Sequence, residues 1–231
     1  EGWHYRMKKT ITAFLCMALL LCLLPATALA ADTSPADGYN DHDYTAVRTF
    51  LETETDGLKN GLRINGLYDA DDPATWTGIT WNSDAEKRVT IVDFGNRTTV
   101  GGSLDVSGCT ALTTIFCYRT QVTSLDASGC TALDTIQCNN GIFTSLNASG
   151  CTALQSIFCG YNSLPSIDIS GCAALQTLSC EGNSLTTLDV SGRTALSDLY
   201  CQSNSLTSLN MNGCTALNQV NCNGNSLTSL D

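Results

Sequence analysis

Residues 112–132 read LTTIFCYRTQVTSLDASGCTA, and the same spacing returns from Leu133, Leu154, Leu175, Leu196 and Leu217, a period of 21 residues. Five complete units fill 112–216, preceded by a half-unit from Leu104 and followed by a fragment that runs to Asp231. Two apolar columns keep the period. One is Ile115, Ile136, Ile157, Leu178, Leu199 and Val220, and the other is Leu125, Leu146, Ile167, Leu188, Leu209 and Leu230. A single 21-residue coil hides too little apolar surface to offset the entropy of ordering its backbone, so each coil must bury its edge against the next.

The expected architecture is therefore a mostly β solenoid. Strand and turns leave no room in 21 residues for a full helix on the back of each coil. Parallel strands are expected on one face, with short extended or turn-like segments on the back and weak curvature. At ~4.8 Å per coil, six coils would span on the order of 30 Å.

Within each unit, Leu175-x-x-Leu178-x-Cys180-x-x-Asn183-x-Leu185 resembles the conserved segment of leucine-rich repeats. The unit length is similar to the short 21-residue subtype found in bacterial secreted proteins, internalin-like in general style. The resemblance covers residues 104–231. It departs at Thr120 and Gly141, which stand where Asn162, Asn183, Asn204 and Asn225 stand later, so an early asparagine ladder would be incomplete. Ahead of the array, residues 72–81 and 88–94 resemble the amino-terminal cap of such proteins, in which tryptophans (here Trp76 and Trp81) cover the open end of the first coil. The resemblance implies a small α-containing cap over residues 42–103. Tyr44, Val47, Phe50 and Leu51 fall at helical spacing, predicting a short helix over residues 43–54 behind the acidic caps Asp41 and Asp43.

From Met7 the chain reads Lys8-Lys9, then an apolar run over residues 11–24, then Pro25 and Ala28-Leu29-Ala30. These are the three regions of a secretory signal peptide, with cleavage expected after Ala30; residues 1–6 read as upstream translated sequence. The run is shorter than the ~20 residues a spanning helix needs. Residues 31–41 are expected to form a flexible start to the mature chain, which would work outside the cell or on its surface. Loss of Glu1, Arg6, Lys8 and Lys9 takes the net charge from −11 to −13. Such an acidic surface repels phosphate backbones and anionic lipid, which argues against nucleic-acid and membrane partners.

Thirteen cysteines suggest a disulfide scaffold at first, but two (Cys16 and Cys22) lie in the leader and an odd number remains. The rest fall into two columns of the same period. Cys117, Cys138, Cys159, Cys180, Cys201 and Cys222 form a ladder at a core position; Cys109, Cys130, Cys151, Cys172 and Cys214 form another, with Arg193 taking one place. Buried free thiols are expected to act as small apolar side chains. Inter-coil disulfides are the alternative, disfavoured because parallel neighbours hold Cβ atoms nearer ~5 Å than the ~3.8 Å a bridge prefers. No metal or cofactor is expected, since no C-x-x-C pair occurs and His42 is the one histidine after the leader.

Asp105, Asp126, Asp168 and Asp189 each precede a Ser-Gly turn and are read as turn-capping residues, with Asn147 and Asn210 filling the gaps. A calcium ladder is the alternative, which those neutral replacements oppose. Outward-facing strand positions carry the binding candidates: Phe116, Gln137, Phe158, Ser179, Tyr200 and Asn221 in one column, with Tyr118 and Tyr161 nearby. Exposed aromatics on a rigid sheet anchor protein or glycan partners. No nucleophile elbow, phosphate loop or His-Glu-x-x-His motif occurs, so no catalytic residue is assigned and no enzyme is expected. Two roles follow: a secreted adhesion or recognition module, or a spacer displaying a further domain, since the last unit stops in mid-repeat.

Overall fold

The computed structural model describes residues 38–228. The expected signal peptide and most of the expected flexible start lie outside them.

The chain forms a solenoid of stacked coils with parallel strands. Its front is an eight-stranded sheet that begins at one edge with β3 (Ile79–Trp81) and β4 (Val89–Asp93) and continues through six further strands. The central rungs are β6 (Thr114–Phe116), β8 (Thr135–Gln137), β10 (Ser156–Phe158), β11 (Thr177–Ser179), β13 (Asp198–Tyr200) and β15 (Gln219–Asn221), all parallel and in register. The register sets Ile115, Ile136, Ile157, Leu178, Leu199 and Val220 side by side, which the 21-residue period requires. From Ile115 to Leu199 that column is fully buried, and Val220 on the last rung is 41% exposed.

The array starts earlier than Leu104. Strand β4 (Val89–Asp93) pairs in parallel with β6, matching Val92 with Ile115 and Asp93 with Phe116. The spacing there is 23 residues rather than 21, which hides this first rung from a self-alignment. Phe94 then fills the position that Cys117 holds in the next coil, and it stacks on Phe50 of the cap with ring centroids 5.0 Å apart.

The back is more regular than expected. Its extended segments pair into two further parallel ladders: β5 (Gly101–Asp105), β7 (Gln121–Asp126) and β9 (Ser145–Asn147), and then β12 (Thr187–Asp189) with β14 (Ser208–Asn210). A single bridge, Asn147 to Asp168, stands between them. Pairing on the back is a consequence of the front register: once coils stack at strand spacing, any extended segment also lies within bonding distance of its copy.

Helix α1 (Asp41–Glu52) begins two residues before the expected start, because Asn40 is the cap and its Oδ1 accepts from Asp43 N at 3.2 Å. Tyr39 and Asn40, grouped by sequence with a flexible start, are tied to Lys87 by backbone pairing. Glu54, expected at the helix end, lies in the short hairpin β1 (Glu54–Thr55) and β2 (Leu58–Lys59), which leads into α2 (Asn60–Ile64). Buried Asn60, in α2, joins α1 to the array: its Nδ2 donates to Phe50 O and Gly101 O, and its Oδ1 accepts from Gly101 N. Trp76 is buried between Tyr44 and Trp81, with its Nε1 donating to Asp69 O. The sheet edge itself is closed by β3 (Ile79–Trp81), which runs antiparallel to β4.

Side chains carry the turns from coil to coil. Asn162 Oδ1 accepts from Gly141 N and Phe143 N, and its Nδ2 donates to Cys138 O and Cys159 O. Asn183, Asn204 and Asn225 repeat the pattern, each accepting from one backbone N–H of the previous coil. Thr120 acts only within its own coil, donating to Cys117 O and accepting from Val122 N. Replacing Asn162 by Ala strands two part-buried backbone amides, Gly141 N and Phe143 N, and removes the donor to Cys138 O, while Cys159 O keeps the amide of Asn183. Its unfolding free energy in urea is expected to fall by about 2–4 kcal/mol, whereas Asn162→Ala with wild-type stability would contradict the linking role.

Candidate ligand-binding face

The front register sets Asp93, Phe116, Gln137, Phe158, Ser179, Tyr200 and Asn221 in one outward column. Alternation along each three-residue strand is the reason: with the central residue buried, its neighbours point out. The aromatics differ in exposure. Phe158 is 36% exposed and Tyr161 58%, whereas Phe116, Tyr118 and Tyr200 are half-buried. Asn221 also serves its own turn, its Oδ1 accepting from Asn223 N.

Tyr118 and Tyr161 do not share a column. Tyr118 lies over Gly95, where a Cβ would stand 2.4 Å from its ring, and its hydroxyl accepts from Asn96 Nδ2 at 3.3 Å. Tyr161 adopts φ 57°, a left-handed conformation uncommon for a bulky residue, and its ring covers Gly182 of the next coil. Arg119, Asn140 and Ser203 share that conformation in equivalent coils, so the turn itself imposes it.

Sequence reasoning missed a hollow beside Gly160. The residue before Tyr161 has no side chain, and the Glu181 carboxylate of the next coil hangs over it. Gln137, Asn139, Phe158, Tyr161 and Glu181 line a cavity of about 190 Å³ there. Ser179 holds one oxygen of Glu181 at 2.6 Å, and Asn139 Oδ1 is buried without a hydrogen-bond partner. Flat rings beside the Glu181 carboxylate in one depression suit a ligand that offers a hydrogen-bond donor on an apolar frame. The missing signal was the glycine in a column otherwise filled by Tyr118, Asn139, Glu181 and Gln202.

The cysteine columns have different chemistry from the face. Cys117, Cys138, Cys159, Cys180 and Cys201 are fully buried and Cys222 is half-buried; all eleven cysteines among the described residues are free thiols. Burial pushes Cys159 and Cys180 well above the ordinary thiol range and Cys201 up to about 12; for Cys138 the Cys117 thiol is the largest cause, ahead of burial. These groups stay protonated at neutral pH and are poor nucleophiles.

In the second column the thiols are donors. Cys130, Cys151, Cys172 and Cys214 reach Val106 O, Ala127 O, Ala148 O and Val190 O at 3.0, 3.1, 3.2 and 2.9 Å. Arg193 does the same work in their place, its Nη2 reaching Ile169 O at 3.1 Å. Arg193→Ala is therefore expected to lose about 1 kcal/mol of stability by removing one of the two hydrogen bonds to Ile169 O, which keeps Cys172 N, and Arg193→Cys to recover most of it. Equal midpoints for the two variants in urea titration would show that the donor is immaterial.

The aspartates sit on the back turns. Asp105, Asp126, Asp168 and Asp189 each accept through Oδ1 from the N–H two residues on, at 2.8–3.0 Å, and Asn147 and Asn210 do so without charge. Hydrogen bonds from Ser170 hold the Asp168 carboxyl below the usual range, and those from Ser191 do the same for Asp189. A lowered folded-state pKa means this stabilisation is present above the unfolded value near pH 4 and fades as pH falls through the folded value. The Asp168→Asn/Asp189→Asn variant should thus lose less stability than wild type between pH 5 and pH 2, measured by thermal melts; parallel pH profiles would contradict it.

Among the described residues no helix is long and apolar enough to cross a membrane. No family model and no curated protein matches the chain. Among solved structures, the chain is similar to one described as the functional domain of InlJ from Listeria monocytogenes, which includes a cysteine ladder. Identity is 24% and the TM-score 0.49, over 87% of this chain and 53% of that one. The chain thus spans about half the length of that structure.

Proposed function

We propose that the protein is a binding module that presents the front sheet of its solenoid to a protein or glycan outside the cell or at its surface. The observation that carries this reading is the outward column in which Phe116, Phe158 and Tyr200 recur on every second coil, with the Gly160 hollow set among them. Fold stability asks nothing of these positions beyond tolerance of a strand, so aromatic side chains there favour contact with a partner. The leader pattern of residues 7–30 and the acidic mature surface support an exported, soluble module and oppose nucleic-acid or membrane partners. Adhesion is the physiological role that fits such a face.

The full chain and its Phe116→Ala/Phe158→Ala/Tyr200→Ala variant are to be compared on an array of glycans and purified extracellular proteins. At least one ligand is expected to bind wild type and to lose about 30-fold or more in affinity in the variant, equivalent to ~2 kcal/mol. Phe158→Ala alone, altering the most exposed of the three, controls for stability. Unchanged binding, or no ligand for wild type, would overturn the reading and leave the array as a spacer.

A further inference from the structure

The cap brings together three side chains that are far apart in sequence. One ring nitrogen of His42, one carboxylate oxygen of Asp43 and Sγ of Cys109 all lie within 4.8 Å of one another. The first turn of α1 supplies the first two, and Cys109 heads the second cysteine column.

Each of the three is held in place. His42 Nε2 lies 2.6 Å from Ser107 O, and the ring rests over Gly108, where a Cβ would stand 3.2 Å from it. Donation from Nε2 to that carbonyl leaves the ring lone pair on Nδ1. Asp43 is fully buried. Its Oδ2 accepts from Val89 N at 3.0 Å and meets Arg88 Nε at 3.5 Å, whereas Oδ1 has no hydrogen-bond partner. A buried, unpartnered carboxylate oxygen is costly unless something else occupies it. Cys109 departs from its column as well. The thiols below it donate to carbonyls of the preceding coil, whereas the Cys109 thiol stands beside Asp43.

We propose that His42, Asp43 and Cys109 bind one divalent transition-metal ion of the zinc class, with water from the neighbouring groove as the fourth ligand. Imidazole, carboxylate and thiolate are the donor set such ions prefer, and three protein ligands with an open position is a recurrent arrangement. Calcium and magnesium are disfavoured because they call for oxygen ligands. The Ser107 carbonyl on the imidazole and the Val89 amide on the carboxylate act as outer partners that orient the ligands. A groove of about 550 Å³ opens beside His42 and is lined by the carboxylates of Asp41 and Asp105, which favours entry of a cation and offsets Arg88 on the far oxygen of Asp43.

On binding, the Cys109 S–H bond breaks, its proton leaves to solvent and an S–metal bond forms, with no change of oxidation state.

The test is titration of Co(II), then Zn(II), into the full chain and into His42→Ala, Cys109→Ser and Cys214→Ser variants. Wild type and Cys214→Ser are expected to take up one Co(II) with thiolate-to-cobalt charge-transfer absorption, to lose that absorption on adding Zn(II), and to release one proton. His42 is exposed, so His42→Ala should melt as wild type does while its metal Kd rises by about 10–100-fold or more. Cys109→Ser should remove the charge-transfer absorption. Absence of Co(II) uptake by wild type, a wild-type spectrum without the thiolate feature, an unchanged metal Kd in His42→Ala, or charge-transfer absorption that persists in Cys109→Ser would overturn the proposal. None of these outcomes depends on a ligand for the front face.

Discussion

A chain that turns back on itself every 21 residues leaves some backbone amides and carbonyls at each corner short of partners within their own coil, and the structure depends on the next coil supplying the rest. Strand ladders satisfy the straight parts of the front and back. Corners are completed by side chains: Asn183 accepts from Leu164 N and donates to Cys159 O of the preceding coil as well as to Cys180 O of its own, and Cys151 adds a second bond to Ala127 O, which Cys130 N already meets. These bonds run through a low-dielectric interior, where an unmade one would be expensive. A constant period follows, because inserting one residue would misalign every column in that coil at once.

The same constraint decides where variation is tolerated. Within the regular coils inward positions favour side chains of similar volume, hence the runs of Ile, Leu and Cys, and departures such as Phe94 at the cap and Arg193 come with partners of their own. Outward positions carry no such limit, and their residues adjust to one another in pairs of large over small: Tyr118 over Gly95, Glu181 over Gly160, Tyr161 over Gly182. Relief on the face is therefore set by where glycine falls, and the hollow between Asn139 and Glu181 is one product. A recognition surface can change in this way without disturbing the stack beneath it.

The amino-terminal end meets a different demand. An unstacked first coil would expose its apolar columns and a row of unpaired strand groups. Here β3 closes the front edge in antiparallel fashion, Phe50 covers Phe94, and Asn60 bonds α1 to β5. Because the cap crosses the head of the second cysteine column, it also sets charged and imidazole groups of α1 against a thiol that the repeat alone would have kept among carbonyls.

Period and pattern alone determined the solenoid, the pairing of Ile115 with Ile136 and its successors, the two cysteine columns and the turn position of Asp126 and its relatives. Each is a statement about residues 21 apart, and stacking converts that separation into contact. What lay beyond sequence was whatever breaks the period. The first rung, Val89–Asp93, was hidden by a 23-residue offset; the back ladders needed the stacking distance before they could pair. Half-burial of Phe116 and Tyr200 depends on neighbouring outward side chains that the alternation rule ignores. The meeting of His42 and Asp43 with Cys109 spans more than sixty residues with no repeat between them, so only the docking of the cap, a tertiary event governed by burial of α1, decided it.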